Sequence, residues 1–221
     1  PSIGQVFDVN NKNNAEIIFA VHFNKEIVNE GHSYWYDITN LTDESGQAEA
    51  LVNCFTPGDT RKEMITYVKA ESKAYLMTKF LDTKNVSFNQ VGNDQILLRY
   101  ADVLLMYAEA LNELGYDASE GSIALKQLNA TRTRAGLTKL TAADVPTQES
   151  FRKAILDERQ KEFPYEGHRW FDLVRMGYAK SVLATQGLNI QDYQLLFPIP
   201  QTEIEKVGDS KILWQNPGYD K

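Results

Sequence analysis

The sequence predicts a mainly α-helical protein, built of irregular antiparallel helix pairs and joined to a loop-rich lobe that contains short strands. Three observations carry this expectation. From Ile96 onward, polar and apolar residues recur at steps of three and four. Gly115, Gly136, Pro164 and Gly177 punctuate that region and divide it into several helices. The stretch before it lacks helical periodicity and is rich in turn residues and aromatics. The expected division is therefore a lobe over residues 1–92, the candidate ligand-binding region, and a helical region over 93–221.

The lobe's clearest element is Glu16 to Phe23 (EIIFAVHF), a short apolar, partly β-branched run that reads as a strand. Asn24 to Asp59 is polar, aromatic and aperiodic, and a connection of that length is usually functional or poorly ordered. The first helix is expected from Ile96 to Leu114. Gln95, Arg99, Asp102, Met106, Glu109 and Glu113 trace one narrow polar stripe on it, and the rest of its surface is apolar or small. Such a helix needs cover on at least two sides. Asn93 or Asp94 is placed to cap its start, and Gly115 to supply a left-handed residue past its end. A second helix runs from about Glu120 to Arg134, capped by Ser119 and stopped by Gly136, with Ile123, Ala124, Leu128 and Ala135 facing inward. A third spans roughly Gln148 to Phe163 and ends at Pro164, whose ring removes a donor and clashes with the preceding turn. The fourth starts near His168 and pauses at Gly177 before Tyr178 to Ala184. Leu196 to Pro200 (LFPIP) must be extended, because each proline disfavours helix for the residue before it. Thr202 and Glu205 form a capping-box signature for a short terminal helix. The helix pairs are tetratricopeptide-like, but pair starts near residues 95 and 148 lie too far apart for a regular repeat of roughly 34 residues.

A chain of 221 residues with 43% hydrophobic content can bury a real core. Its formal net charge of −7, with the basic residues scattered, argues against a nucleic-acid partner, because such binding rests on clustered Lys and Arg neutralising phosphates. Cys54 is the single cysteine; it reads as a small core hydrophobe with no disulfide partner in the chain. No apolar run approaches the ~20 residues that a membrane-spanning helix needs.

Phe55 to Arg61 (FTPGDTR), Ile96 to Gly115 (ILLRYADVLLMYAEALNELG), Leu128 to Leu137 (LNATRTRAGL), Ile155 to Gly177 (ILDERQKEFPYEGHRWFDLVRMG), Leu196 to Ile204 (LFPIPQTEI) and Gln215 to Tyr219 (QNPGY) follow one another in that order. Together they resemble the C-terminal half of the SusD/RagB family. The resemblance implies a right-handed helical scaffold of tetratricopeptide-type units with a variable lobe. It further implies an outer-membrane lipoprotein on the extracellular face, lipid-anchored through an N-terminal cysteine that this chain does not contain. Such a protein would capture oligo- or polysaccharide for delivery to a SusC-like TonB-dependent transporter, without enzymatic activity and without a cofactor. The family's N-terminal half is absent here and would be the natural cover for the first helix. Trp170 and Phe171 are then expected in the core with Arg169 paired to an acid, and Asp59 with Arg61 as an ion pair anchoring a loop.

Asp157, Glu158 and Glu162, or Asp102 with Glu109, could be the paired carboxylates of a glycosidase. Their interleaving with Arg152, Lys153, Arg159, Lys161 and Arg99 instead reads as a solvated, ion-paired surface. His168 and Asp172 lack a nucleophile in a signature context. His22 and His32 have no nearby carboxylate pair, and no loop carries a calcium-ligand pattern, so no metal site is expected. The segment His32-Ser33-Tyr34-Trp35-Tyr36-Asp37 stands out. Three consecutive aromatics cannot all face a core in an extended chain. Sugar rings stack their C–H faces on Trp and Tyr while their hydroxyls need fixed polar partners. The expected ligand contacts are therefore Trp35, Tyr34 and Tyr36 for stacking, with His32, Asp37 and Asn24, and also Asn29, for hydroxyls. The competing readings are a hydrophobic anchor for a long loop, a tetratricopeptide-type module that binds a peptide, and a helical glycoside hydrolase.

Overall fold

The computed structural model of the chain describes residues 1–27, 47–69, 74–80, 82 and 91–219, and these form two compact units, Pro1–Glu166 and Gly167–Lys221. The expected class, mainly helical with short strands, is what the chain adopts. In the first unit the elements are α1 (Ile3–Val6), β1 (Ile17–Val21), α2 (Gln47–Cys54), α3 (Arg61–Ile65), β2 (Thr66–Lys69), β3 (Ala74–Met77), β4 (Gln95–Arg99), α4 (Tyr100–Leu114), α5 (Ile123–Arg134) and α6 (Gln148–Glu162). β1 pairs antiparallel with β4, and β2 with β3.

The strand expected at Glu16 to Phe23 is present, but the first helix starts later than its pattern suggests. Gln95 to Arg99 is strand, with Ile96 opposite Ala20 and Leu98 opposite Phe19. A short apolar run such as Ile96-Leu97-Leu98 suits strand or helix equally, and the partner strand decides. Neither Asn93 nor Asp94 caps α4. The carboxylate of Glu16 does so from the start of β1: its Oε1 accepts from Ala101 N at 3.0 Å, and its carbonyl accepts from Tyr100 N at 2.8 Å. Gly115 follows the helix in an extended conformation, φ 174°, not a left-handed one.

The polar stripe of α4 is partly inverted. Arg99 and Asp102 are buried, with Arg159 Nη1 donating to Asp102 Oδ1 at 2.7 Å, and the helix faces α5 and α6 through Asp102, Leu105, Ala108 and Asn112. Its outer face carries the exposed apolar residues Tyr100, Val103, Met106, Tyr107 and Leu114, and Leu97 and Leu98 of β4 are exposed as well. Exposed apolar patches of this kind drive association. The isolated 221-residue polypeptide is therefore expected to self-associate, and Leu98→Asp combined with Val103→Asp to shift it to monomer in sedimentation velocity. A monodisperse monomer of the unsubstituted chain would contradict this.

α5 begins at Ile123, and Ser122, not Ser119, caps it by accepting from Leu125 N at 3.2 Å. Ala124, Leu128 and Ala135 are buried as expected, whereas Ile123 at the helix start is half exposed. Gly136 ends the helix at φ +79°, and a Cβ there would stand 3.1 Å from the carbonyl of Gly58. The close approach has a purpose: Thr60 donates from both its N and its Oγ1 to Ala135 O, which docks the FTPGDTR loop on the end of α5. α6 is capped by Thr147 and Ser150 and stops before Pro164. A second cluster gathers Ile3, Val6, Phe7, Phe55, Phe80, Val91 and Ile96, with Cys54 half-buried against it in the packing role its neighbours suggested.

The second unit contains α7 (Arg169–Arg175), a break at Gly177 (φ +77°), α8 (Ala179–Thr185), a 3-10 turn at Asp192–Leu195 and α9 (Gln201–Val207). The capping box expected of Thr202 and Glu205 does not form. Pro200 precedes the first turn, and Glu205 instead accepts from Gln201. The LFPIP segment is extended and is held by the tail: Gln215 bonds both N and O of Ile199 at 2.8 Å, Asn216 bonds Phe197 O at 2.7 Å, and Tyr219 OH donates to Leu196 O at 3.0 Å. Trp170 is half-buried beside Phe197, but Phe171 is 62% exposed and not a core residue. Adjacent residues on a short helix point about 100° apart, so both could not face one neighbour.

Candidate functional site

Asp157 lies on the solvated face expected of α6, but the other two carboxylates read with it do not. Glu158 and Glu162 are buried, and they meet arginines from three other segments. Arg61 grips Asp59 through Nε and Nη2 at 2.9 and 2.8 Å and extends Nη1 to Glu158 Oε1 at 2.7 Å and Glu162 Oε2 at 3.0 Å. Arg99 donates to Glu162 Oε1 at 2.6 Å, to Glu16 Oε1 at 3.1 Å and in a fork to Glu166 at 2.7 and 2.8 Å. Arg134 joins Glu162 and Glu16, Lys79 joins Glu166, and Arg132 lies 3.6 Å from Glu158. The interleaved pattern failed as a guide because it records spacing on one helix, whereas the partners come from distant segments.

Burial alone would raise the carboxyl groups of Glu162 and Glu166. Arg99, Arg134 and Arg61 around the first, and Arg99 and Lys79 around the second, outweigh it and hold both below the usual carboxylate range. Burial pushes the Lys79 ammonium down to about 8 against the pull of Glu166. A glycosidase's general acid needs the opposite shift. The cluster is a structural knot, and the expected Asp59–Arg61 pair is its corner.

A different place offers ligand chemistry. An open hollow of about 450 Å³ lies where the loop Val9–Asn13 meets the segment that leaves β1, His22 to Glu26, with Gly92 as its floor. The loop is fixed by its own turns: Asp8 accepts from Asn10, and Asn14 bonds Val6 and Asn11 carbonyls and Glu16 N. Asp94, buried, organises the wall. Its Oδ2 lies 2.6 Å from His22 Nδ1, and its Oδ1 accepts from Lys12 at 2.6 Å and from Phe23 N at 3.1 Å. Lys12 also donates to the carbonyls of Gly92, at 2.6 Å, and Phe23. Lys25 is held by both oxygens of buried Asp82 at 2.7 Å. A second open hollow, of about 400 Å³, shares Lys12, Asn13 and His22 and continues along β1 past Ile18 and Phe19.

Of the residues expected to contact ligand, Asn24 lines the first hollow and uses its Oδ1 to accept from Glu26 N at 2.9 Å. Trp35, Tyr34, Tyr36, His32 and Asp37, with Asn29, lie outside the described residues. Sequence reasoning missed Lys12, Asn13, His22 and Lys25. The available signal was the amide-rich run Asn10-Asn11-Lys12-Asn13-Asn14 close before a strand. Among the described residues, no three His, Cys, Asp or Glu side chains come together to hold a metal, and no helix is long and apolar enough to cross a membrane.

Comparison with known proteins agrees with this architecture. The SusD-like protein P2 of Formosa agariphila is 35% identical over 140 residues, covering 58% of this chain and 26% of its own. The starch-binding protein SusD of Bacteroides thetaiotaomicron is 30% identical over 188 residues, 79% of this chain and 31% of its own. The solved surface glycan-binding protein A of Bacteroides fluxus superposes with a TM-score of 0.76 at 27% identity over 99% of this chain, which spans 54% of it. The chain thus corresponds to about a third or less of the curated relatives and about half of the solved one. The SusD family profile matches residues 63–219, which hold Arg99, Arg134, Glu158, Glu162 and Glu166 of the knot and every helix from α4 to α9, and the chain belongs to the SusD family.

Proposed function

We propose that the protein captures a glycan at the cell surface and delivers it, uncleaved, to a SusC-like TonB-dependent transporter. In this reading it is lipid-anchored on the extracellular face of the outer membrane as part of a longer polypeptide. The observation that carries the proposal is the polar hollow at Asn24, whose hydrogen-bonding groups are held by buried carboxylates on a chain of the SusD family. Preorganised donors and acceptors lose little freedom when they take up sugar hydroxyls. Relatives described as starch-binding and as surface glycan-binding support the same ligand class. Trp35, Tyr34 and Tyr36 supply stacking faces in this reading, and His32 and Asp37 further hydroxyl partners. They follow the wall residue Glu26 in sequence.

The test is affinity electrophoresis of the full-length protein through gels containing starch, laminarin, xylan or mannan, paired with reducing-end analysis after long incubation. Retardation by at least one polysaccharide with no new reducing ends is expected. Turnover that disappears on replacing Glu158 or Glu162 would overturn the non-catalytic part. Free migration through every gel would overturn the whole.

A further inference from the structure

We infer that the paired hollows at His22 select an uncharged glycan, with His22 Nε2 accepting a sugar hydroxyl at the point where the two hollows meet. The inference rests on the glycan-binding reading above and specifies its ligand class. Three features of the site carry it. First, the cations of the hollow are already engaged. An ammonium has three hydrogens, and those of Lys12 meet Asp94, Gly92 O and Phe23 O. Lys25 is matched by both oxygens of Asp82. Among the described residues, the charged side chains that line or anchor the first hollow, His22 aside, are Lys12, Lys25, Glu26, Asp82 and Asp94, three acids to two ammonium groups. A carboxylate or sulfate on a sugar would meet no unmatched cation among the described lining residues and would face Glu26.

Second, the tautomer of His22 follows from its partner. Asp94 accepts from an ammonium and a backbone N–H and is an acceptor only, so His22 Nδ1 carries the proton towards it. In the neutral ring this leaves Nε2 as an acceptor, on a side chain that is 61% exposed. Third, His22 lines both hollows, and the second one adds Phe19, a half-exposed ring able to stack against a sugar face. Hydroxyl recognition in one hollow and stacking in the other suit at least two linked neutral sugars.

The experiment uses the full-length protein and its His22→Ala and His22→Gln variants. Each is run against the neutral polysaccharides starch, laminarin, xylan and mannan and the anionic alginate and carrageenan, with titration calorimetry on whatever is retained. Neutral polysaccharide is expected to bind and the anionic pair not. His22→Ala should weaken binding about tenfold, as loss of one good hydrogen bond does, and His22→Gln, which keeps an acceptor, should recover most of it. The melting temperature should fall only modestly, because Asp94 loses His22 from Oδ2 but keeps Lys12 and Phe23 N on Oδ1. Tighter binding of alginate or carrageenan than of any neutral glycan overturns the inference and leaves glycan capture standing. Neutral binding that is indifferent to His22→Ala does the same. Retention by none of the six overturns both readings.

Discussion

Replacing Glu162 by alanine is expected to destabilise the protein by about 3–5 kcal/mol, the range for removing one partner from a buried ionic cluster. Its side chain receives Arg99 and Arg134 on one oxygen and Arg61 on the other, and the buried Arg61 and Arg99 could not turn to water without dismantling the packing around them. For a domain of this size the unfolding midpoint should fall by roughly 6–20 °C. Glu113→Ala provides the comparison. Glu113 pairs with Arg152 at the surface, its side chain 43% exposed, so its removal should cost less than about 1 kcal/mol. Thermal melts followed by circular dichroism distinguish the two. Equal losses would mean that the knot contributes no more than a surface pair.

The same cluster sets the acid response. The folded state holds Glu162 and Glu166 below the ordinary carboxylate range, so their contribution is fully present above the unfolded value of about 4.5 and is lost as pH falls through the depressed folded values. Denaturant melts of the parent should therefore show stability declining below about pH 4.5, with a shallower decline in the Glu162→Ala variant, which has one such proton fewer to take up.

The second large effect is expected in binding. Trp35→Ala in the full-length protein should weaken glycan affinity roughly tenfold to a hundredfold, the cost of losing a central aromatic contact of about 1–3 kcal/mol. The reason is chemical: a sugar's apolar C–H face needs a flat ring, and an alanine offers none. The melting temperature should remain nearly that of the parent. If Trp35 is instead a hydrophobic anchor of its loop, the pattern reverses, with a lower melting temperature and unaltered retardation in polysaccharide gels. That reversed outcome would leave the hollow at His22 and Asn24 as the binding element without an aromatic platform from this segment.

Four of the six segments that made the family legible converge on the buried knot. Asp59 and Arg61 come from FTPGDTR, Arg99 from the RYAD run, Arg132 and Arg134 from LNATRTRAGL, and Glu158, Glu162 and Glu166 from ILDERQKEFPYEG. The signature is therefore chiefly structural, and it says little about where a ligand sits. Of the contacts expected from sequence, Asn24 is the one that lies among the described residues, and it does line the hollow. As a metal ligand His22 has no partner in the sequence pattern, and its spacing alone gives it no role. Its interest depends on Asp94, which was expected to cap a helix and instead orients a histidine and a lysine from a loop far away in sequence.

Sequence alone determined the helical class, and the order and most of the stops of the helices from α4 onward, and its ordered segments carried the family resemblance; α1 to α3 were not read from it. Class, order and stops follow from local physics: periodicity, the ring of Pro164, and the freedom of Gly136 and Gly177 to adopt positive φ. Tertiary structure decided what is non-local. It turned Gln95–Arg99 into a strand because β1 supplied the hydrogen-bonding partner. It chose Glu16 as the cap of α4. It buried Glu158 and Glu162 where their own helix suggested solvent, because Arg61, Arg99 and Arg134 arrive from other segments to neutralise them, and a charge can leave water only where opposite charge is brought to meet it.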